Sequence, residues 1–204
     1  MENNIQEKLD ELFKTPRMGH TWYENGQART LPNTGHNCVI GLYDMVKKHF
    51  KPHFTIAELG SFQGTSTRLF ALFVKKVYAI DYYDYVVPDT GRIPSHDQTF
   101  VDAENTFIER TSHIKNIIKI RKESTIAAND FEDYSLDAVY VDAEHDYESV
   151  LADIRAWKNK IKIDGILCGH DFSTAYIPKI LKDENLVNQL ETYADDSWSV
   201  IIKA

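Results

Sequence analysis

Two short runs carry most of the chemically capable side chains in this sequence. Asp142-Ala143-Glu144-His145-Asp146-Tyr147 follows an apolar stretch at 136–141, and Gly169-His170-Asp171-Phe172 follows another at 165–168. Carboxylates and imidazoles converging at one place supply the ligands that a divalent cation takes. A histidine among them titrates near neutrality, which suits the removal of a hydroxyl proton. A third run, Glu58-Leu59-Gly60-Ser61-Phe62-Gln63-Gly64, puts two glycines between a short apolar stretch and a helical pattern. Glycines at such a turn let the backbone come close to a ligand, and the helix that follows presents unpaired N–H groups. Asp81 ends the next apolar stretch, about 20 residues on, where a carboxylate can accept both hydroxyls of a ribose.

The spacing also excludes chemistry. A dinucleotide fingerprint starting at Gly60 needs glycine where Phe62 and Thr65 stand, and no Walker A lysine follows. An oxidoreductase that uses NAD is therefore disfavoured. At the end of the third apolar stretch stand Glu123 and Ser124. Read by itself, Ser124 is a candidate cap of a short helix.

These residues need elements that bring them to one edge. Periodicity predicts a helix over 3–13, with Ile5, Leu9 and Leu12 near one face. Prolines and glycines predict a loop over 15–35, and a second helix over 36–49 stops before Pro52. Strand and helix patterns then alternate: strands at 54–59, 76–80, 117–120, 136–141, 165–168 and 198–202, helices at 66–74, 97–112, 147–160 and 176–190. The stretch at 136–141 is apolar almost throughout, as in a strand covered on both faces. Alternation of this kind implies an α/β fold, Rossmann-like and doubly wound, with a mainly parallel sheet and helices on both faces. Ligands in such sheets bind beyond the carboxyl ends of the strands, and every run above falls at such an end.

Bulk properties narrow the partners. The 204 residues have a formal net charge of −8, with 43% hydrophobic and 26% charged residues. An acidic chain is a poor match for nucleic acid, and the one basic run, at 114–122, reads as a strand with solvated lysines. No stretch approaches the ~18 apolar residues of a membrane span. The acidic, amphipathic start is unlike a signal peptide. Cys38 and Cys168 lack metal spacing, so two free thiols in the cytoplasm are expected. Aromatic residues in 15–37 (Trp22 and Tyr23 among them) and in the loop from Tyr82 to about 96 are candidates to stack on an acceptor.

The spacing ExGxxxG from Glu58 to Gly64, with Asp81 after the next strand, resembles the cofactor motif of class I methyltransferases dependent on S-adenosylmethionine (SAM). The stretch VDAEHDYESVLADIRAWKNKIKIDGILCGHDF, with the tail Asp195-Asp196-Ser197-Trp198, is similar to the macrocin O-methyltransferase and cephalosporin-hydroxylase-like group. It also resembles catechol-type and caffeoyl-CoA O-methyltransferases. The resemblance covers 54–204 and implies a seven-stranded sheet. It divides the chain into a 1–50 segment capping the substrate side and a 51–204 SAM-binding domain.

It further implies cofactor contacts from Glu58, Gly60, Ser61, Gly64, Asp81, Glu123, Ser124 and Asp142. By position, Asp142, His170 and Asp171 correspond to the cation ligands, with Mg or Mn expected. His170 departs from the pattern, because imidazole suits Mn, Fe or Zn better than Mg. His145 takes the place of the general base beside Asp142. The activity implied is O-methylation of a small hydroxylated metabolite. N-methylation, and a noncatalytic SAM-binding or sensing module, are the alternatives; homo-oligomerisation is left open.

Overall fold

The computed structural model describes residues 12, 22–24, 27–29, 37–83, 102–174 and 176–203. Two short strands, β1 (Trp22–Glu24) and β2 (Gln27–Arg29), pair antiparallel. They replace part of the loop expected over 15–35. The two residues between them are Asn25-Gly26, the dipeptide that two-residue hairpin turns favour. Leu12 is helical, and the rest of the helix expected at 3–13 lies outside the described residues, as does the loop expected to run to about 96 beyond Tyr83.

From α1 (Asn37–His49) the chain builds a seven-stranded sheet. The elements are β3 (Thr55–Leu59), α2 (Thr65–Ala71), β4 (Lys76–Asp81), α3 (Ala103–Thr111), β5 (Ile117–Arg121), α4 (Ser124–Ala127), β6 (Leu136–Val141), α5 (Tyr147–Trp157), β7 (Ile161–Gly169), α6 (Tyr176–Asp183), β8 (Glu191–Thr192) and β9 (Trp198–Ile201). The strand order is β5-β4-β3-β6-β7-β9-β8. The first five strands in that order run parallel, and β9 is antiparallel to both β7 and β8. From β3 the chain winds outward through β4 to β5, then crosses back to β6 on the other side. The crevice at this reversal is where such sheets hold ligands.

Period-two alternation sorts the strands onto two faces. Ala57, Leu59, Val139, Val141 and Leu167 pack with Ile154, Trp157, Ile177 and Ile180 of α5 and α6. Ile56, Ala138, Tyr140 and Cys168 pack with Leu42, Met45 and Val46 of α1 and with Leu69 and Phe70 of α2. At ~25 cal/mol per Å² of apolar surface removed from water, these two layers hold the strand ends in register. Helix α6 is shorter than the 176–190 expected. Asn185 adopts a left-handed backbone (φ 57°) and Leu186 N–H donates to the Leu181 carbonyl at 2.7 Å, which turns the chain out of the helix. The basic run is strand β5, where Lys119 pairs with Glu104. No described helix is long and apolar enough to cross a membrane.

Candidate active site

Register places the chemically capable residues on one edge. Leu59 lies opposite Ile80 on β4 and Val141 on β6, and Val141 lies opposite Gly169 on β7. The next residues along those strands, Gly60, Asp81, Asp142 and His170, therefore emerge side by side.

The turn after β3 is wound by two left-handed glycines, Gly60 (φ 84°) and Gly64 (φ 77°), with Phe62 also at positive φ (42°). A Cβ on Gly60 would lie 2.0 Å from the Asp142 carbonyl oxygen, so the turn and the end of β6 touch through bare backbone. A Cβ on Gly64 would meet Phe107 and Thr111 of α3 at 3.0 Å. Gly64 thus serves the packing of the turn on a helix. The turn is held from β4: Gly60 and Ser61 N–H donate to the Ile80 carbonyl at 2.9 and 3.2 Å. The Asp81 carboxylate, 6% exposed, accepts Phe62 N–H at 2.8 Å and Tyr83 N–H at 3.0 Å. A carboxylate has about four acceptor sites, and these amides take two.

Beneath the turn lies Glu58, fully buried, which accepts the hydroxyls of Ser66 and Thr67 on α2. Burial pushes its carboxyl up to about 8 against the pull of those two hydroxyls, and the charges of Asp142 and Asp81 push the same way. At the end of β5 the two polar neighbours diverge. The Ser124 hydroxyl donates to the buried Asp153 on α5, while Glu123 is exposed and accepts the Thr125 hydroxyl at 2.7 Å. Burial raises the Asp153 carboxyl to about 6. Sequence reading missed Asp153. Its only signal was a carboxylate on the helix face that also carries Val150, Ile154 and Trp157.

The loops after β6 and β7 border an open cleft lined by Asp142, Glu144, His145, His170 and Asp171. Donor atoms of Asp142, His170 and Asp171 lie within 4.8 Å of one another. Asp171 stands between two imidazoles: one carboxylate oxygen is 3.1 Å from His170 Nδ1, the other 2.9 Å from His145 Nδ1. Burial would raise the Asp171 carboxyl, but these two contacts hold it well below the ordinary range. The hydrogen bond to Asp171 raises His145, with the charge of Asp142 adding to it. His145 is 57% exposed at its side chain, and His170 is buried. Asp146, adjacent to His145, is committed elsewhere: its carboxylate caps α5 by accepting Glu148 and Ser149 N–H at 3.0 and 3.1 Å.

The arrangement is that of a known family. A methyltransferase domain family matches residues 57–172, from β3 to the loop after β7. The chain belongs to this family. It is a SAM-dependent methyltransferase with the Rossmann-like class I fold. Solved structures agree on the fold. An rRNA methylase from Streptococcus thermophilus superposes with TM-score 0.56 at 14% identity, over 79% of this chain and 93% of that one. A protein from Clostridium thermocellum described as a putative rRNA methylase gives 0.59 at 14% identity, over 82% and 97%. A putative methyltransferase from Streptococcus mutans, solved in complex with S-adenosylhomocysteine (SAH), gives 0.53 at 14% identity, over 78% and 94%. No curated protein matches the sequence.

Proposed function

We propose that this methyltransferase methylates a hydroxyl group of a small hydroxylated metabolite, with His145 as general base and a divalent cation, Mn or Mg, seated by Asp142, His170 and Asp171. The observation that carries the reading is the His145–Asp171 pair. With Nδ1 engaged by Asp171, Nε2 is the nitrogen left to accept a proton at the cleft. A hydroxyl needs such a base far more than an amine does.

The donor set fits a cation. His170 Nε2 stands 2.6 Å from the Asp195 carbonyl oxygen and must donate to it, since that oxygen can only accept. In a neutral ring this leaves a lone pair on Nδ1, 3.1 Å from an Asp171 oxygen. Two lone pairs so close call for a proton or a metal ion to share. A cation here would lower the pKa of a coordinated hydroxyl.

SAM supplies an electrophilic methyl group on a sulfonium. Gly60, Ser61, Gly64 and Glu58 form the turn proposed to carry its methionine portion, with Asp81 at the ribose and Glu123 and Ser124 near the adenine. Asp142 belongs to the cation seat and its backbone touches this turn, and transfer is mainly a matter of alignment. The proposed division assigns 51–204 to SAM binding and 1–50 to a substrate-side cap. Within the 1–50 segment, α1 packs on the sheet through Leu42, Met45 and Val46, and the backbone of Gly41 lies against the Asp195 turn.

Two structural neighbours are described as rRNA methylases, yet a polyanionic acceptor suits this chain poorly. Its net charge is −8, and none of the described residues lining the cleft is Lys or Arg. A small acceptor fits better, and a cytoplasmic setting is part of the proposal. The test is methyl transfer from labelled SAM to a panel of hydroxylated metabolites and amines, with Mn²⁺, with Mg²⁺ and after chelation. A methyl ether formed only with metal present is expected. Transfer to amines alone overturns the O-methyl reading, and full activity after chelation overturns the cation.

A further inference from the structure

Asp171, which faces both histidines, has a left-handed backbone (φ 60°), which aspartate adopts more readily than most residues. Its place between the rings is set by the hydrogen bonds of its loop to the turn between β8 and β9 and to the first residue of β9. The Asp195 carbonyl accepts His170 Nε2–H at 2.6 Å, and the Trp198 indole donates to the His170 carbonyl at 2.9 Å. One residue past Asp171, the Asp196 carbonyl accepts Phe172 N–H at 3.1 Å. Two residues past it, the Asp196 carboxylate accepts Ser173 N–H at 2.9 Å and the Ser173 hydroxyl at 2.7 Å. The loop is thus gripped on both sides of Asp171, and only on the far side does a charged side chain do the gripping. Thr174 completes the far side, donating its N–H and hydroxyl to the Asp171 carbonyl at 3.0 and 2.7 Å.

We propose that Asp196 is a positioning residue of the active site: its carboxylate fastens Ser173 and so holds Asp171 between His145 and His170. This rests on the reading of Asp171 as a working residue of the site. Asp196 itself has φ 76°, which separates its backbone role from its side-chain role. Glycine is at ease there and asparagine tolerates it, so neither Asp196→Gly nor Asp196→Asn strains the turn. Asp196→Gly keeps the carbonyl that binds Phe172 and removes the carboxylate. Asp196→Asn keeps the shape: its amide oxygen accepts Ser173 N–H, and the Ser173 hydroxyl reverses to accept from the amide N–H.

The experiment measures three quantities in the full-length native protein and both variants: SAH affinity by calorimetry, Mn²⁺ affinity by electron paramagnetic resonance, and the His145 tautomer by long-range ¹H–¹⁵N spectra at one fixed alkaline pH. In Asp196→Gly, SAH affinity should stay within about twofold, because the glycine turn lies at the ends of other strands. Mn²⁺ affinity should fall about 10–100-fold, as for other groups that orient metal ligands. The Nδ1–H form of His145 should give way to the solvent-like mixture. Asp196→Asn should restore both. A native His145 signal and native Mn²⁺ affinity in Asp196→Gly overturn the proposal, and so does failure of Asp196→Asn to rescue when it folds and binds SAH. Should Asp196→Gly not fold, Ser173→Ala is read in its place, with a weaker shift of the same two signals expected and their absence refuting. If the native protein binds no Mn²⁺, the cation seat alone falls, and the His145 tautomer still decides the role of Asp196.

Discussion

Glu58→Gln tests the polar floor of the cofactor turn. Glu58 is fully buried, and its carboxyl is raised from 4.5 to about 8. The sign follows from proton counting. Between those two values the folded chain keeps a proton that the unfolded chain has released, so folding stability falls as pH rises. Integrated from pH 5 to pH 9 at 1.36 kcal/mol per unit, this one group removes on the order of 4 kcal/mol. Glutamine is isosteric and neutral, and the Ser66 and Thr67 hydroxyls can rotate to meet its amide. The assay is urea unfolding of both proteins across that pH range. The two curves should converge near pH 5 and separate by about 4 kcal/mol at pH 9, with the variant the more stable. Parallel curves would show that Glu58 is ionised in the fold at neutrality and would refute the argument. A second reading of the same group is proton release on ligand binding. SAH carries a cationic amino group, and its approach would favour the ionised carboxylate. Calorimetry near pH 7 in buffers of different ionisation enthalpy should show proton release for the native protein and less for the variant.

Three further outcomes are expected. Asp81→Ala removes a carboxylate that accepts two backbone amides; at about 1.5–3 kcal/mol for a hydrogen bond to a charged group, SAH affinity should drop about 10–150-fold by calorimetry, and native affinity in the folded variant would remove Asp81 from the cofactor site. Gly60→Ala forces a Cβ to within 2.0 Å of the Asp142 carbonyl, so thermal unfolding should show a loss of at least 2–3 kcal/mol, whereas a native midpoint would mean that the turn moves freely from β6. His145→Ala should lower kcat by about 10²–10⁴ on a hydroxyl acceptor while SAH affinity is kept. Because Asp171 raises the His145 pKa, the native rate should climb through a titration above the usual histidine value, and an unchanged kcat in the variant would place the base elsewhere. The same raised pKa means that the ion pair stabilises the fold fully below the unfolded value and loses its effect as pH rises through the folded one.

The parts of the fold legible in sequence are those fixed by period alone. Strands β3, β4, β6 and the apolar end of β7 run apolar because they are buried in the sheet, whereas the edge strand β5 has no buried residue and shows only as an alternation of isoleucine and basic residues. Boundaries depended on local geometry that composition does not carry: α6 ends at Asp183, two residues before a left-handed Asn185, and β7 starts four residues before the apolar run because Ile161 pairs with Leu136. The hairpin of β1 and β2 carried a usable sign, Asn25-Gly26, hidden inside a stretch dense in turn residues.

The candidate site divides along the same line. Which residues meet at the edge was legible, since consecutive parallel strands must deliver their next residues to one crevice. Which atom faces which was not, because it is decided across distant turns. Asp171 is a cation ligand by position, yet its oxygens also face two imidazoles, and that contact depends on a loop held by a turn 25 positions away. The same carboxylate therefore serves two chemistries that compete. A cation drawing on Asp171 weakens its hold on His145 and lowers the ring's pKa; without a cation, the ring is held more firmly but stays protonated to higher pH. Metal binding and base strength are thereby coupled through one side chain. The His145 titration followed by ¹H NMR should accordingly move down when Mg²⁺ is added and up when it is withdrawn, and a titration that ignores the metal would place the cation away from Asp171.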